Sequence, residues 1–165
     1  MSDRIVNILG IDPGSIITGW CLLTNGKRKD SGVIKVSAKL DFEARRELLR
    51  DELMELYRRL WVSCKGRLSV ALEDPQSRGM DVAKKLACIR TMFEERATDY
   101  RWPYIKVYPA EWQALLRRAV PPVEGEKIKA LSLRGAYEAV GIEKPDEADA
   151  YWVARYLWEA GQQIS

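Results

Sequence analysis

Asp12, Glu73, Asp146 and Asp149 are the carboxylates of this 165-residue chain whose positions suggest chemistry. Asp12 sits at the tip of an apolar run in "ILGIDPGSIITGW", just before a Pro-Gly turn, and Glu73 ends a second such run in "VALED". Asp146 and Asp149, in "KPDEADAYWVA", are three residues apart at the start of a helical pattern, a spacing that lets both face the same way. If the two strands are parallel neighbours, their backbones lie about 4.8 Å apart. Their acids then share the carboxyl edge of the sheet, where α/β proteins place their sites. Four converging acids repel one another and raise some of their pKa values. A divalent cation removes that penalty, and an oxygen-rich, nitrogen-free donor set suits Mg²⁺ or Mn²⁺. Two such ions about 4 Å apart can activate a water and stabilise the leaving oxygen of a phosphodiester.

Each acid also has a plain structural reading. Asp12 before Pro-Gly suits an ordinary turn. Glu73-Asp74-Pro75 suits a polar strand exit, with Asp74 a rival for the role of Glu73. Asp146 after Pro145 suits a helix N-cap, and Asp149 would complete something like a capping box.

Composition narrows the chemistry. The chain has no histidine, so Ser-His and Cys-His catalysis, histidine metal sites and an imidazole base all drop out. Cys21, Cys64 and Cys88 are odd in number and widely spaced, which fits a reduced protein and gives no zinc spacing. Hydrophobic residues make up 47%, which argues for a packed core, and no apolar run approaches the length of a membrane helix. A net charge of +3 is too mild by itself to announce a nucleic-acid partner. "MSDRIVNILG" lacks signal-peptide features, so a cytoplasmic protein is expected.

The elements that must position the acids follow from periodicity. Ile5–Asp12 reads as a buried strand. Ile16–Leu23 follows it, then a turn at Asn25-Gly26 and a third strand over Arg28–Val36, making an antiparallel meander. Leu49, Leu53, Leu56 and Leu60 place a helix over Leu40–Trp61, with charges on its outer face. "RLSVALEDP" is a fourth strand, Met80–Tyr100 a second helix and "YIKVYP" a fifth strand. "AEWQALLRR" is a short helix, and "AVPPVEGEK" a loop. A helix over Lys127–Val140 is capped by Gly141, and a last helix begins near Asp146. Residues 1–165 therefore read as a single α/β domain with a mixed sheet, and the connection between strands four and five suits a right-handed parallel crossover. The apolar surface of Met80–Tyr100 is broad enough for deep burial or for a partner chain.

These motifs carry a resemblance. "ILGIDPGSIITGW", "VALEDP" and "DEADAYWVARY" resemble the first, second and last motifs of RuvC-type Holliday junction resolvases, members of the ribonuclease H-like (retroviral integrase) superfamily. The likeness runs from Ile5 to about Trp158. It implies a five-stranded mixed sheet of order 3-2-1-4-5 and a homodimer that places paired nicks in four-way DNA junctions. By position it makes Asp12, Glu73, Asp146 and Asp149 the ligands of Mg²⁺ or Mn²⁺. It also sets Lys127 at the scissile phosphate. Ile16 after "GS", the lack of an aromatic close behind Glu73, and the "PPVEGEKIK" loop point to a divergent, phage-type relative. No membrane and no small-molecule cofactor are implied.

Arg78, Lys84, Lys85, Arg117, Arg118, Lys127 and Lys129 are the candidate DNA-backbone contacts, set against the plainer reading of solvated helix faces. Trp112, Trp20, Trp61, Trp152 and Trp158 read as packing residues. Three other readings compete: a ribonuclease H or general branched-DNA nuclease on the same fold, a catalytically dead nucleic-acid-binding relative, and an actin-like ATP-binding module suggested by "GIDPGS". The last lacks a second lobe, and the chain has no Walker P-loop.

Overall fold

The computed structural model describes residues 5–74 and 79–164. Five strands form one mixed sheet in the order β3-β2-β1-β4-β5. The strands are β1 (Asn7–Asp12), β2 (Ile17–Thr24), β3 (Lys27–Lys35), β4 (Ser69–Glu73) and β5 (Tyr104–Val107). The first three run antiparallel, while β4 and β5 run parallel to β1. The helices are α1 (Phe42–Ser63), α2 (Met80–Asp99), α3 (Pro109–Ala119), α4 (Ile128–Val140) and α5 (Pro145–Ile164).

Local chemistry explains the boundaries. Asn25 and Gly26 both take positive φ, 50° and 75°, which matches the tight turn between β2 and β3 to the strand twist. The Asp41 carboxylate accepts the Ala44 N–H and caps α1. Gly141 closes α4 in the left-handed conformation. At the last helix the expected cap moves by two positions, from Asp146 to Lys144, whose carbonyl accepts the Ala148 N–H at 2.9 Å. The helix starts at Pro145, so Asp146 lies in its first turn and does not cap it. Asp149 bonds Ser132, where a capping box would have it reach back to the helix start.

Strand alternation divides the core into two layers. Leu9, Ile11, Trp20, Leu22, Val70 and Leu72 face α1 and α2, together with Leu49, Leu53, Tyr57, Leu60, Ile89 and Phe93. Ile8, Cys21, Leu23, Ala71 and Val107 face α3, α4 and α5. Only the second half of α2 joins this core, through Ile89, Met92, Phe93 and Ala97; Met80 and Val82 at its start are exposed. Trp61, read as a packing residue, is 43% exposed at the rim of an aromatic group with Tyr100 and Trp102.

Helix α5 lies unusually close to the sheet. A side chain at Gly10 would come within 2.7 Å of the Ala154 Cβ, and one at Gly19 would overlap the Asp146 carbonyl. Ala148, Ala150 and Ala154 are fully buried on the facing side of the helix. Glu147, the other acid of "DEAD", is buried too; it accepts a short hydrogen bond from the Ser31 hydroxyl and pairs with Arg28 at 3.6 Å, tying α5 to β3. The contact is backbone against backbone, so Gly19→Ala is expected to destabilise the fold by about 2–3 kcal/mol, read as a lower midpoint in urea at unchanged slope.

Candidate metal and phosphate site

Register and alternation bring the acids to one place. Ile11 pairs with Leu72 in the parallel ladder, and Asp12 and Glu73 are the next residue on each strand. Asp12 shares a face with Gly10, and Glu73 with Ala71; both turn toward α5. Asp12 is also opposite Gly19 in the antiparallel ladder, and Gly19 is the residue against which the Asp146 backbone rests. One turn further along α5, Asp149 comes onto the same side. The turn after Asp12 is locked by Thr18, whose hydroxyl donates to the Gly14 carbonyl at 3.0 Å and accepts the Gly14 N–H at 3.2 Å.

The four carboxylates interact electrostatically. Burial, then the charges of Glu73, Asp149 and Asp146, drive the Asp12 pKa well above the usual carboxylate range. Burial and Asp149 push Glu73 up to about 7, against the pull of the Trp112 indole and of Lys129. Burial also raises Asp149, although the Ser132 hydroxyl, donating to it at 2.5 Å, lowers it in part. Ser132 is itself held by the Trp152 indole, which donates to its carbonyl at 3.0 Å.

Asp74, adjacent to Glu73 in sequence, turns to the other side of the sheet. There it makes a tight ion pair with Arg90 on α2, and Arg90 also bonds Glu94 at 3.1 Å. Asp74 is therefore committed to a structural ion pair, and Glu73 alone of the two faces the other acids.

The cations divide as well. Lys129, exposed in the first turn of α4, is the lysine whose charge reaches Asp12, Glu73 and Asp149. Lys127 precedes α4 as its exposed N-cap residue and does not figure among those effects. Lys84 and Lys85 are exposed on α2, with Lys85 over the Phe42 ring at 5.7 Å, so they belong to the α1–α2 side. Arg117 and Arg118 end α3 next to Ala119 and Val120, which line a cleft with Gly26, Lys27 and Arg28 at the amino edge of the sheet. Arg78 lies outside the described residues. Ser132, Trp112 and Arg90 bear on the site but were not readable in the sequence. Each is an unremarkable helix residue whose partner is distant in the chain.

The donor set fits a hard divalent cation: four carboxylates, no histidine and no thiol. Among the described residues no three acidic or cysteine side chains converge tightly enough to form a closed cage. Closing round a common ion would require the side chains to turn toward one another. The cysteines offer nothing competing: all three are free, and burial pushes the Cys21 thiol up to about 12.

Two solved structures share this architecture. Thermus thermophilus RuvC in complex with Holliday junction substrate superposes with a TM-score of 0.71 at 17% identity, covering 97% of this chain and 98% of that one. A second Thermus thermophilus RuvC structure gives 0.69 at 18% identity, with 96% and 97% covered. The fold is that of RuvC. Neither a protein-family model nor a curated sequence matches this chain. The five-strand order and the antiparallel first three strands are those of the ribonuclease H-like RuvC fold. Among the described residues no helix is long and apolar enough to cross a membrane.

The raised carboxylates set the pH response. A carboxyl whose folded pKa lies above its unfolded value stabilises the fold while protonated, and that stability is lost as pH rises through the folded pKa. For Glu73 the window runs from about 4.5 to about 7. In EDTA the melting temperature is expected to fall across this window, by an amount reflecting on the order of 3 kcal/mol from Glu73. Added Mg²⁺ or Mn²⁺ should raise it far more at pH 8 than at pH 5. Calorimetric scans at several pH values check both trends.

Proposed function

We propose that this chain is a divalent-metal-dependent, structure-selective endonuclease that resolves four-way DNA junctions by paired phosphodiester hydrolysis. One observation carries the reading: carboxylates from β1, β4 and α5, separated by up to 137 positions in the chain (149 − 12), share one electrostatic neighbourhood at the carboxyl edge of the sheet, with Lys129 beside them. The junction substrate bound to the similarly folded RuvC supports branched DNA as the partner class.

In this reading Asp12, Glu73, Asp146 and Asp149 hold Mg²⁺ or Mn²⁺. When bound, the cation supplies charge neutralisation at the phosphodiester and a more acidic water. The chain's own residues do the rest. Lys129 attracts and orients a non-bridging phosphate oxygen through its exposed ammonium group. Lys127, two residues earlier, and the more distant Lys84, Lys85, Arg117 and Arg118 add sequence-independent attraction to the DNA backbone. Ser132 fixes Asp149. The N-terminus of α5 brings its positive dipole end to the acids and eases their ionisation.

Paired nicks need two sites, so the working unit is a homodimer. The exposed apolar start of α2, with Met80 and Val82, supports a partner surface there. Gel filtration of the protein is expected to give twice the monomer mass.

The activity test uses labelled four-way junction, linear duplex and RNA–DNA hybrid, each with Mg²⁺, Mn²⁺ or EDTA. Symmetric paired nicks in the junction, absent in EDTA, are expected. Preferential cutting of the hybrid would assign a ribonuclease H activity to the same fold, and binding without cleavage would mark a non-catalytic module. Asp12→Asn and Asp146→Asn are each expected to lower cleavage at least 100-fold while junction binding changes little. If Asp146→Asn mainly lowers the melting temperature and leaves cutting intact, the role of Asp146 is structural.

A further inference from the structure

Trp112 lies in the first turns of α3, which starts directly after β5. Val107, at the end of β5, is opposite Glu73 in the parallel ladder. That start is firmly fixed. Glu111 accepts the Tyr108 N–H at 2.7 Å with one carboxylate oxygen and the Tyr156 hydroxyl at 3.0 Å with the other, so α3 is fastened both to its own cap and to α5. Trp112 is 3% exposed and packs in the layer with Val107, Ala71 and Leu116.

Its indole nitrogen is the anomaly. Trp112 Nε1 is buried and has no hydrogen-bond partner that meets normal geometry. A buried donor left unpaired costs about 1–3 kcal/mol. A phenylalanine would fill most of the same apolar space without that cost. The Trp102 nitrogen is also unpaired, but it sits in the aromatic cluster with Tyr57, Tyr100 and Trp61 on the other side of the sheet. Trp112 differs because it follows β5 beside Glu73, and its indole is near enough to that carboxyl to hold the pKa down in part.

We propose that Trp112 is a positioning residue whose indole N–H engages one oxygen of Glu73 when that side chain turns in to bind a divalent cation, leaving the other oxygen for the ion. The inference rests on the metal-site reading above. It gives the unpaired donor a partner and gives Glu73, which sits at the end of its strand, a defined rotamer. Ser132 does the same for Asp149 through its 2.5 Å bond, so two of the four acids would be oriented by neutral donors from α3 and α4. Donors of this kind commonly govern how tightly a site holds its metal.

The test is Mn²⁺ binding by isothermal titration calorimetry on the full chain, with the melting temperature in EDTA measured in parallel. Trp112→Phe removes the N–H and keeps an aromatic ring. Leu116→Val, on the same helix and in the same layer, loosens packing and keeps the N–H. A drop in Mn²⁺ affinity of about 10-fold or more in Trp112→Phe, with wild-type affinity in Leu116→Val, is expected. Wild-type affinity in Trp112→Phe overturns the proposal, and so does an equal loss in Leu116→Val, which would trace the effect to packing. Should Trp112→Phe fail to fold, β-(3-benzothienyl)alanine at position 112 makes the same comparison, since sulfur replaces the N–H within an unchanged two-ring outline. If wild-type protein binds no Mn²⁺ at millimolar concentration, the metal-site reading itself fails and takes this proposal with it.

Discussion

The site depends on how closely α5 can approach the sheet. Two strands present glycine where the helix crosses, Gly10 on β1 and Gly19 on β2, and the helix answers with Ala148, Ala150 and Ala154. Without side chains between them, helix and sheet meet almost backbone to backbone. That contact places the first turn of α5 over the end of β1, and Asp146 and Asp149 arrive beside Asp12 and Glu73 as a result. Larger residues at either glycine would lift the helix, and short aspartate side chains could not span the gap. Glu147 secures the arrangement laterally through Ser31 and Arg28, and the Trp152 indole on α5 ties the helix to the Ser132 carbonyl of α4.

Strand alternation then assigns opposite fates to neighbouring acids. Glu73 and Asp74 are consecutive, yet one faces the acid pocket and the other an arginine. Asp74 is neutralised inside the protein by Arg90, so it needs no external cation. Glu73 has no such partner and carries a raised pKa instead. A carboxylate enclosed by protein and surrounded by other carboxylates is electrostatically costly. The fold tolerates it because β1 and β4 are central strands, bonded on both sides, whose register the pocket cannot easily disturb.

Much of this was legible in the sequence because it is local. The strand-ending acids, the Asn25-Gly26 turn, the leucine spacing of α1 and the Gly141 cap each depend on a few adjacent residues whose chemistry leaves one reasonable geometry. The sheet order and the gathering of the four acids came from motif resemblance, since single-sequence periodicity gives faces and not neighbours. What stayed hidden was cross-chain pairing. The reading of Asp146 and Asp149 as a capping box was locally sound, and it failed because Ser132, 17 residues upstream, competes for the Asp149 carboxylate. Nothing near Asp74 announces Arg90, and nothing near Trp112 announces Glu73. Lys127 and Lys129 are only two residues apart, on either side of the start of α4. Both are exposed and basic, and nothing in the sequence says that it is Lys129 whose charge bears on Asp12, Glu73 and Asp149.

The electrostatic balance of the pocket explains why these supporting groups are neutral or peripheral. An arginine within the cluster would neutralise one acid permanently, as Arg90 does for Asp74, and would remove a ligand. Neutral donors such as the Ser132 hydroxyl and the Trp112 indole can orient a carboxylate and leave most of its negative charge available. Among the described residues the positive charge that reaches the acids is that of Lys129, which is exposed, so it lowers their pKa values only in part. The pocket therefore keeps an excess of negative charge that these groups do not satisfy, and in the proposed function that excess is what would give a divalent cation its differential affinity for the folded chain.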